Sequence, residues 1–181
     1  MAIQLALSVG ASLPPFRLKG VDDLVHSTEE LAQKPILVVI FSCNHCPYAQ
    51  AWEGRIIALQ ADYAAQGVQF VMISSNDPIQ YPDDDFPAMK ARAAEKGYNF
   101  PYLFDDTQEV ARAYGAMRTP EVFVFDSNRI LRYHGRIDDN HERPEDVTRP
   151  YLREAIEALL ANKVPQIQMT APAGCTIKWR A

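Results

Sequence analysis

Ile36-Leu37-Val38-Val39-Ile40-Phe41-Ser42-Cys43-Asn44-His45-Cys46-Pro47 is the stretch on which the fold of this chain turns. Its first six residues are an unbroken aliphatic and aromatic run bounded by Pro35 and by the polar break at Ser42. Such a run predicts a strand buried on both faces, as in a parallel or mixed sheet. From about residue 44 to 65 the spacing becomes helical, with Trp52, Ile56, Ile57, Leu59 and Tyr63 near one face and Gly67 as the stop. The strand therefore hands two cysteines, Cys43 and Cys46, to the start of a helix. Sulfurs at this C-x-x-C spacing can close a small ring. A thiolate at a helix N-terminus also faces unpaired backbone N–H groups and the positive end of the dipole, which lower its pKa. A fall from about 8.5 to about 6.5 raises the reactive fraction at pH 7 from a few per cent to roughly three quarters. Pro47 fits the first helical turn, where its missing N–H costs no hydrogen bond.

Further along, Val68 to Ser74 reads as a second buried strand and residues 75 to 86 as a polar loop. A helix over about 87–96 has Pro87 near its start and Gly97 at its end, and a short strand follows at Tyr102-Leu103-Phe104. Thr107 to Tyr114 predicts another helix, closed by Gly115. After Thr119-Pro120, the runs Val122 to Phe125 and Ile130 to Arg136 flank Asp126-Ser127-Asn128-Arg129, a hairpin signal. Pro150 to Leu160 supplies a last helix, and on the N-terminal side Ser27 can cap a short one. Strands alternating with helices, then a closing hairpin and helix, describe an α/β sandwich with a mixed sheet. With 181 residues and 48% hydrophobic content the chain is expected to form a single domain, 1–181. Residues 162–181 form a tail whose Ile167, Met169, Ile177 and Trp179 predict docking on that domain.

A net charge of -5 with only 18 Lys+Arg leaves no basic stripe for nucleic acid. No apolar run approaches the roughly 20 residues of a membrane span, so no membrane partner is expected either. Met1 to Ser12 is uncharged, and without Lys or Arg before Arg17 it does not read as a cleaved signal. Three cysteines, two of them in one C-x-x-C, are no disulfide framework, and a reducing cytoplasm is the expected compartment.

The order strand, C-x-x-C, long helix, strand, helix, then Thr119-Pro120 before a hairpin resembles the thioredoxin-like superfamily over nearly the whole chain. Within it, the opening segment Val9 to Leu18, the string Phe41 to Tyr48, Tyr81-Pro82-Asp83-Asp84, Arg136-Ile137-Asp138-Asp139 and the Gly174-Cys175 tail are similar to the peroxiredoxin-like and TlpA-like (AhpC/TSA, redoxin) branch. The resemblance implies a thioredoxin-like fold with an N-terminal extension and a C-terminal tail. It also implies a cis-proline at Pro120 beside the thiols, with Thr119 and Pro120 as substrate contacts. The chain departs from two family patterns. Thioredoxins keep a buried aspartate six residues before the first cysteine, where this chain has Leu37. Peroxiredoxins carry Pro and Thr seven and three residues before the peroxidatic cysteine, where this chain has Ile36 and Ile40. The hydroxyl that would orient a peroxide is absent from that position.

The residues point to a thiol–disulfide oxidoreductase. Cys43, nearer the helix start, is the attacking thiol and Cys46 the resolving one. A structural zinc needs four ligands, and one C-x-x-C with His45 and a distant Cys175 is a poor set, so neither metal nor other cofactor is expected. His45 between the sulfurs suits stabilisation of the Cys43 thiolate, against the plainer reading of a solvated histidine. Cys175 reads either as a small buried residue or as a third redox thiol brought over by the tail. Asp83-Asp84-Asp85 reads as a solvated helix cap and not a cation site. Glu121 reads as an ordinary polar residue opening a strand, with replacement of the acid missing at Leu37 as the sharper alternative. Arg118 is placed for an anionic substrate or thiolate. The expected partners are a protein or small-molecule disulfide, or a peroxide, and a thiol reductant or oxidant. Two other functions share these residues: a peroxide reductase forming a sulfenic acid at Cys43, and a binding module whose thiols take no part in turnover.

Overall fold

A computed structural model describes residues 5–181, so the uncharged stretch Met1 to Ser12 lies partly outside the described residues. The strands are β1 (Arg17–Gly20), β2 (Val25–Ser27), β3 (Ile36–Ser42), β4 (Val68–Ser74), β5 (Tyr102–Phe104), β6 (Arg118–Thr119), β7 (Glu121–Phe125), β8 (Leu131–Gly135) and β9 (Cys175–Thr176). The helices are α1 (Thr28–Leu31), α2 (Pro47–Tyr63), α3 (Phe86–Lys96), α4 (Glu109–Tyr114) and α5 (Tyr151–Leu160). Seven strands form one mixed sheet in the order β2-β1-β5-β4-β3-β7-β8, and β6 and β9 form a separate two-stranded ribbon.

All seven residues of β3 are buried because both faces of the sheet are covered. On one face Ile36, Val38 and Ile40 pack with Trp52, Ile56 and Leu59 of α2 and Leu152 and Ile156 of α5. On the other, Leu37, Val39 and Phe41 meet Tyr114, Phe123, Phe125 and Ile177 of the tail. Each such side chain contributes about 1.5–3 kcal/mol through burial, so β3 is held where it ends, at the cysteines. It runs parallel to β4 and antiparallel to β7, with Ser42 opposite Ser74 and Phe41 opposite Glu121. The carboxyl ends of β3 and β4 thus open side by side.

Two helices begin later than their spacing predicts. α2 starts at Pro47 with Cys46, in extended conformation, as its N-cap and not near residue 44, and the backbone N–H groups of Asn44 and His45 before it bond the Asp84 side chain. α4 starts at Glu109, its early N–H groups on Val110 and Ala111 taken by the carboxylate of Asp105. Gly67 ends the turn after α2 at φ 84, where a Cβ would come within 2.8 Å of Pro35. Asp85 caps α3, accepting the Ala88 N–H at 2.8 Å.

The tail crosses the domain. Gln168 accepts the His134 N–H at 3.0 Å, and Thr170 returns an N–H to His134 at 3.0 Å. Farther on, Arg118 pairs with Thr176 and Thr119 with Cys175. Ile177 is buried, and the Arg112 guanidinium lies over the Trp179 ring.

Candidate active site

The loop between β3 and α2 is fixed by a carboxylate forty residues away. A 3-10 turn, Pro82–Asp84, presents Asp84, which is fully buried. Its Oδ1 accepts the N–H of Asn44 at 2.7 Å and of His45 at 3.3 Å, and its Oδ2 accepts the Asn76 side-chain amide at 2.8 Å. The same Oδ2 contacts His45 Nδ1. Asn44 is held at its side chain as well, donating to the Asp83 carbonyl at 2.9 Å and accepting from the Tyr102 hydroxyl at 2.7 Å. The His45 ring lies parallel to Tyr81, centroids 5.7 Å apart. Asp84 is therefore no solvated cap. Only Asp85 of the acidic run caps a helix, while Asp84 is enclosed because it satisfies donors that burial would otherwise strand.

Both active-loop thiols are buried, Cys43 at 3% exposure and Cys46 at 0%, so Cys43 is the more accessible of the two. The peptide bond between Thr119 and Pro120 is cis. Thr119 addresses both sulfurs: its hydroxyl lies 3.7 Å from Cys43 Sγ, and its carbonyl accepts the Cys46 S–H at 3.2 Å. The two thiols ionise as one unit. Their mutual hydrogen bond draws the first proton off below the ordinary thiol range, towards a Cys46 thiolate at about 4. The same bond, with burial and the Asp84 carboxylate, holds the second proton, on Cys43, far above that range. The expectation of a depressed Cys43 at the helix start is thereby corrected: the helix begins at Pro47, and it is Cys46 that stands at its N-cap.

Glu121 holds the proline loop from below. Its Oε2 accepts the N–H groups of Met117 and Arg118, each at 2.8 Å, and its Oε1 bonds His134 Nε2 at 2.7 Å. A residue this enclosed, at 2% exposure, is not an ordinary polar strand opener. It faces the same side of the sheet as Leu37, which is buried among Val39, Phe41 and Phe125. Ile36 and Ile40 point into the opposite core layer, so the hydroxyl near Cys43 comes from Thr119 alone of these positions.

Cys175 arrives on β9 opposite Thr119 and packs against Cys43, Cys46 and Ala49. Burial and a hydrogen bond to Cys46 push its thiol up to about 11. Its neighbour Gly174 lies so close to the Thr119-Pro120 peptide that a Cβ there would sit 2.0 Å from the Thr119 carbonyl oxygen. Arg118, exposed, donates to the Gly174 carbonyl at 3.4 Å. Cys43, His45 and Asp84 bring their ligand atoms within 4.8 Å of one another. That trio is one short of a closed zinc site, and the Asp84 oxygens already accept three N–H donors.

Asp84, Asn76, Tyr102 and the supporting part of Glu121 escape a reading along the sequence, because their partners are distant in the chain. One signal was present. Loops that follow neighbouring parallel strands sit together at their carboxyl ends, which puts the segment after β4 beside the cysteines.

A model of the AhpC/TSA family matches residues 9–134. The thiol:disulfide interchange protein DsbE of Escherichia coli K12 is 29% identical over 159 residues, covering 82% of this chain and 78% of its own length. The crystal structure of an uncharacterized conserved protein from Geobacillus kaustophilus superposes with a TM-score of 0.90 at 41% identity, covering 96% of this chain and 93% of that one. A thiol:disulfide interchange protein of the thioredoxin family from Chlorobium tepidum has a TM-score of 0.58 at 24% identity over 70% of this chain and 85% of its own, a likeness of fold. Among the described residues no helix is long and apolar enough to cross a membrane.

Proposed function

This chain belongs to the AhpC/TSA family, and from that premise we propose that it is a thiol–disulfide oxidoreductase working through Cys43 and Cys46. The observation that carries the reading is the pair itself: two buried cysteines in one cluster, with the hydroxyl of Thr119 at one sulfur and its carbonyl at the other. The distant likeness to an interchange protein supports it. Cys43, the more accessible sulfur, attacks a substrate disulfide as its proton passes to Cys46. One substrate sulfur leaves as a thiolate and the other stays bonded to Cys43. Cys46 then attacks Cys43 Sγ as its proton passes to the departing sulfur, releasing the second substrate sulfur as a thiol and closing the Cys43–Cys46 disulfide. The substrate disulfide has gained two electrons and the pair has lost two. A thiol partner returns the pair to its reduced form, and an oxidising partner runs the sequence backwards.

Thr119 and Pro120 are the substrate contacts in this reading, and the His45 imidazole, set against Asp84, tunes the Cys43 sulfur. The compartment that suits three free thiols is a reducing cytoplasm. The test measures reduction of glutathione disulfide and consumption of hydrogen peroxide side by side, in the wild type and in Cys43→Ser and Cys46→Ser. Disulfide exchange should be lost in Cys43→Ser and should stall as a mixed disulfide in Cys46→Ser. Rapid peroxide turnover without disulfide exchange would replace this function with peroxide reduction. Unchanged cellular function with both cysteines replaced would leave only a binding role.

A further inference from the structure

The segment around Cys175 is built into the site. β9 lies antiparallel along β6, so the edge of the strand that leads into the cis-proline is already occupied by an extended segment. Extended segments added to a free strand edge are a general mode of peptide recognition, with backbone bonds giving affinity and side-chain position giving specificity. Here the register sets Cys175 opposite Thr119, the residue whose carbonyl meets Cys46 Sγ at 3.2 Å. The close approach is not incidental, since Gly174 leaves no room for a side chain against the Thr119-Pro120 peptide. The Ile177 N–H bonds the Met117 carbonyl at 2.9 Å, and the Lys178 N–H bonds Asn76 Oδ1 at 2.9 Å. Ile177 itself is buried in the second core layer. The tail thus presents a thiol to the pair in the way a bound substrate strand would.

We propose that Cys175 is a tethered third redox thiol that takes over the disulfide from the oxidised pair. This rests on the dithiol function proposed above. Once Cys43–Cys46 has formed, the Cys175 thiolate attacks Cys46 Sγ. The Cys46–Cys175 bond forms as the Cys43–Cys46 bond breaks, and Cys43 leaves as a thiolate that takes up the proton Cys175 has lost. One disulfide is exchanged for another, so no further oxidant is consumed, and Cys43 is free again while the chain stays oxidised. The groups around Cys175 favour this order. In the reduced protein its proton is held by burial, by the hydrogen bond to Cys46 and by Cys46 charge, whereas Arg118 and Lys178 pull the other way. Oxidation of the pair removes both influences of Cys46, so that burial alone is left against the two cations.

The test oxidises the full chain with glutathione disulfide, blocks free thiols with N-ethylmaleimide, and maps disulfides after trypsin, which separates peptide 20–55 from peptide 164–178. A link between these peptides is expected in the wild type but not in Cys43→Ser, which cannot form the Cys43–Cys46 disulfide, nor in Cys46→Ser. Its fraction should not change with protein concentration. Gly174→Ala should lower it several-fold while the Cys43–Cys46 disulfide still forms. If that disulfide forms and Cys175 is fully blocked in every sample, the third-thiol role is overturned and the dithiol function stands. A link that appears only between chains, or only to Cys43, overturns it equally. Absence of any disulfide among the three cysteines sinks the dithiol function itself.

Discussion

Thr119 is the residue on which the site converges, because its hydroxyl reaches the Cys43 sulfur and its carbonyl the Cys46 sulfur. The first cause of the depressed Cys46 is the hydrogen bond from Cys43. Cys43→Ala removes it, so thiolate absorbance followed against pH should show Cys46 titrating upward from about 4 towards the ordinary thiol value. Since a depressed thiol is ionised above its folded pKa, the variant should carry less thiolate than the wild type throughout the mildly acidic range. A Cys46 titration unmoved by the substitution would mean that the helix start and Thr119 set its acidity. In the proposed function His45 acts on the pair's single negative charge. Its imidazole stands against Asp84, within 4.8 Å of Cys43, and engages a carboxylate that would otherwise face that charge. His45→Ala should therefore destabilise the reduced pair and lower its reduction potential by about 30 mV, one decade in the equilibrium with glutathione. A rise in potential would assign the histidine the opposite effect.

At the scale of elements, buried carboxylates anchor the loops of the site and the helix start beside them. Asp84 ties the loop after β4 to the cysteine loop, Asp105 starts α4, and Glu121 ties β7 to the residues before Pro120. Glu121→Ala would strand two backbone N–H groups and His134 Nε2, and an unsatisfied buried donor costs about 1–3 kcal/mol. A loss on the order of 3 kcal/mol in urea unfolding is expected, together with slower disulfide exchange. Wild-type exchange in a destabilised variant would show that Glu121 supports the fold without positioning Thr119.

At the scale of the whole molecule, the sequence was most readable where hydrophobic period and punctuation act locally. The β3 run, the helix stopped at Gly67, the hairpin around Asp126 and Pro120 before the last sheet strands all follow from neighbours in the chain. Side-chain partners do not. Asp84 looked solvated because acids in a run near a helix start usually are, and only the parallel placement of β3 and β4 brings it beneath Asn44 and His45. α2 starts at Pro47, so the sulfur at the helix N-terminus is that of Cys46. The tail is the largest case, since its register on β6 is set by contacts with Met117, Asn76 and the core layer around Phe41. That register makes a prediction for the molecule as a unit. Ile177 is the tail's apolar anchor, and a charge in its place cannot stay buried without a partner. In Ile177→Asp the tail should therefore leave β6, and because β6 and β9 form a ribbon separate from the seven-stranded sheet it can do so while that sheet persists. Exchange with a disulfide in an extended peptide, which needs the strand edge, should accelerate, whereas exchange with glutathione disulfide, too short to pair along β6, should change little. Equal acceleration of both would show that the tail restricts access to Cys43 and does not compete for the edge of β6.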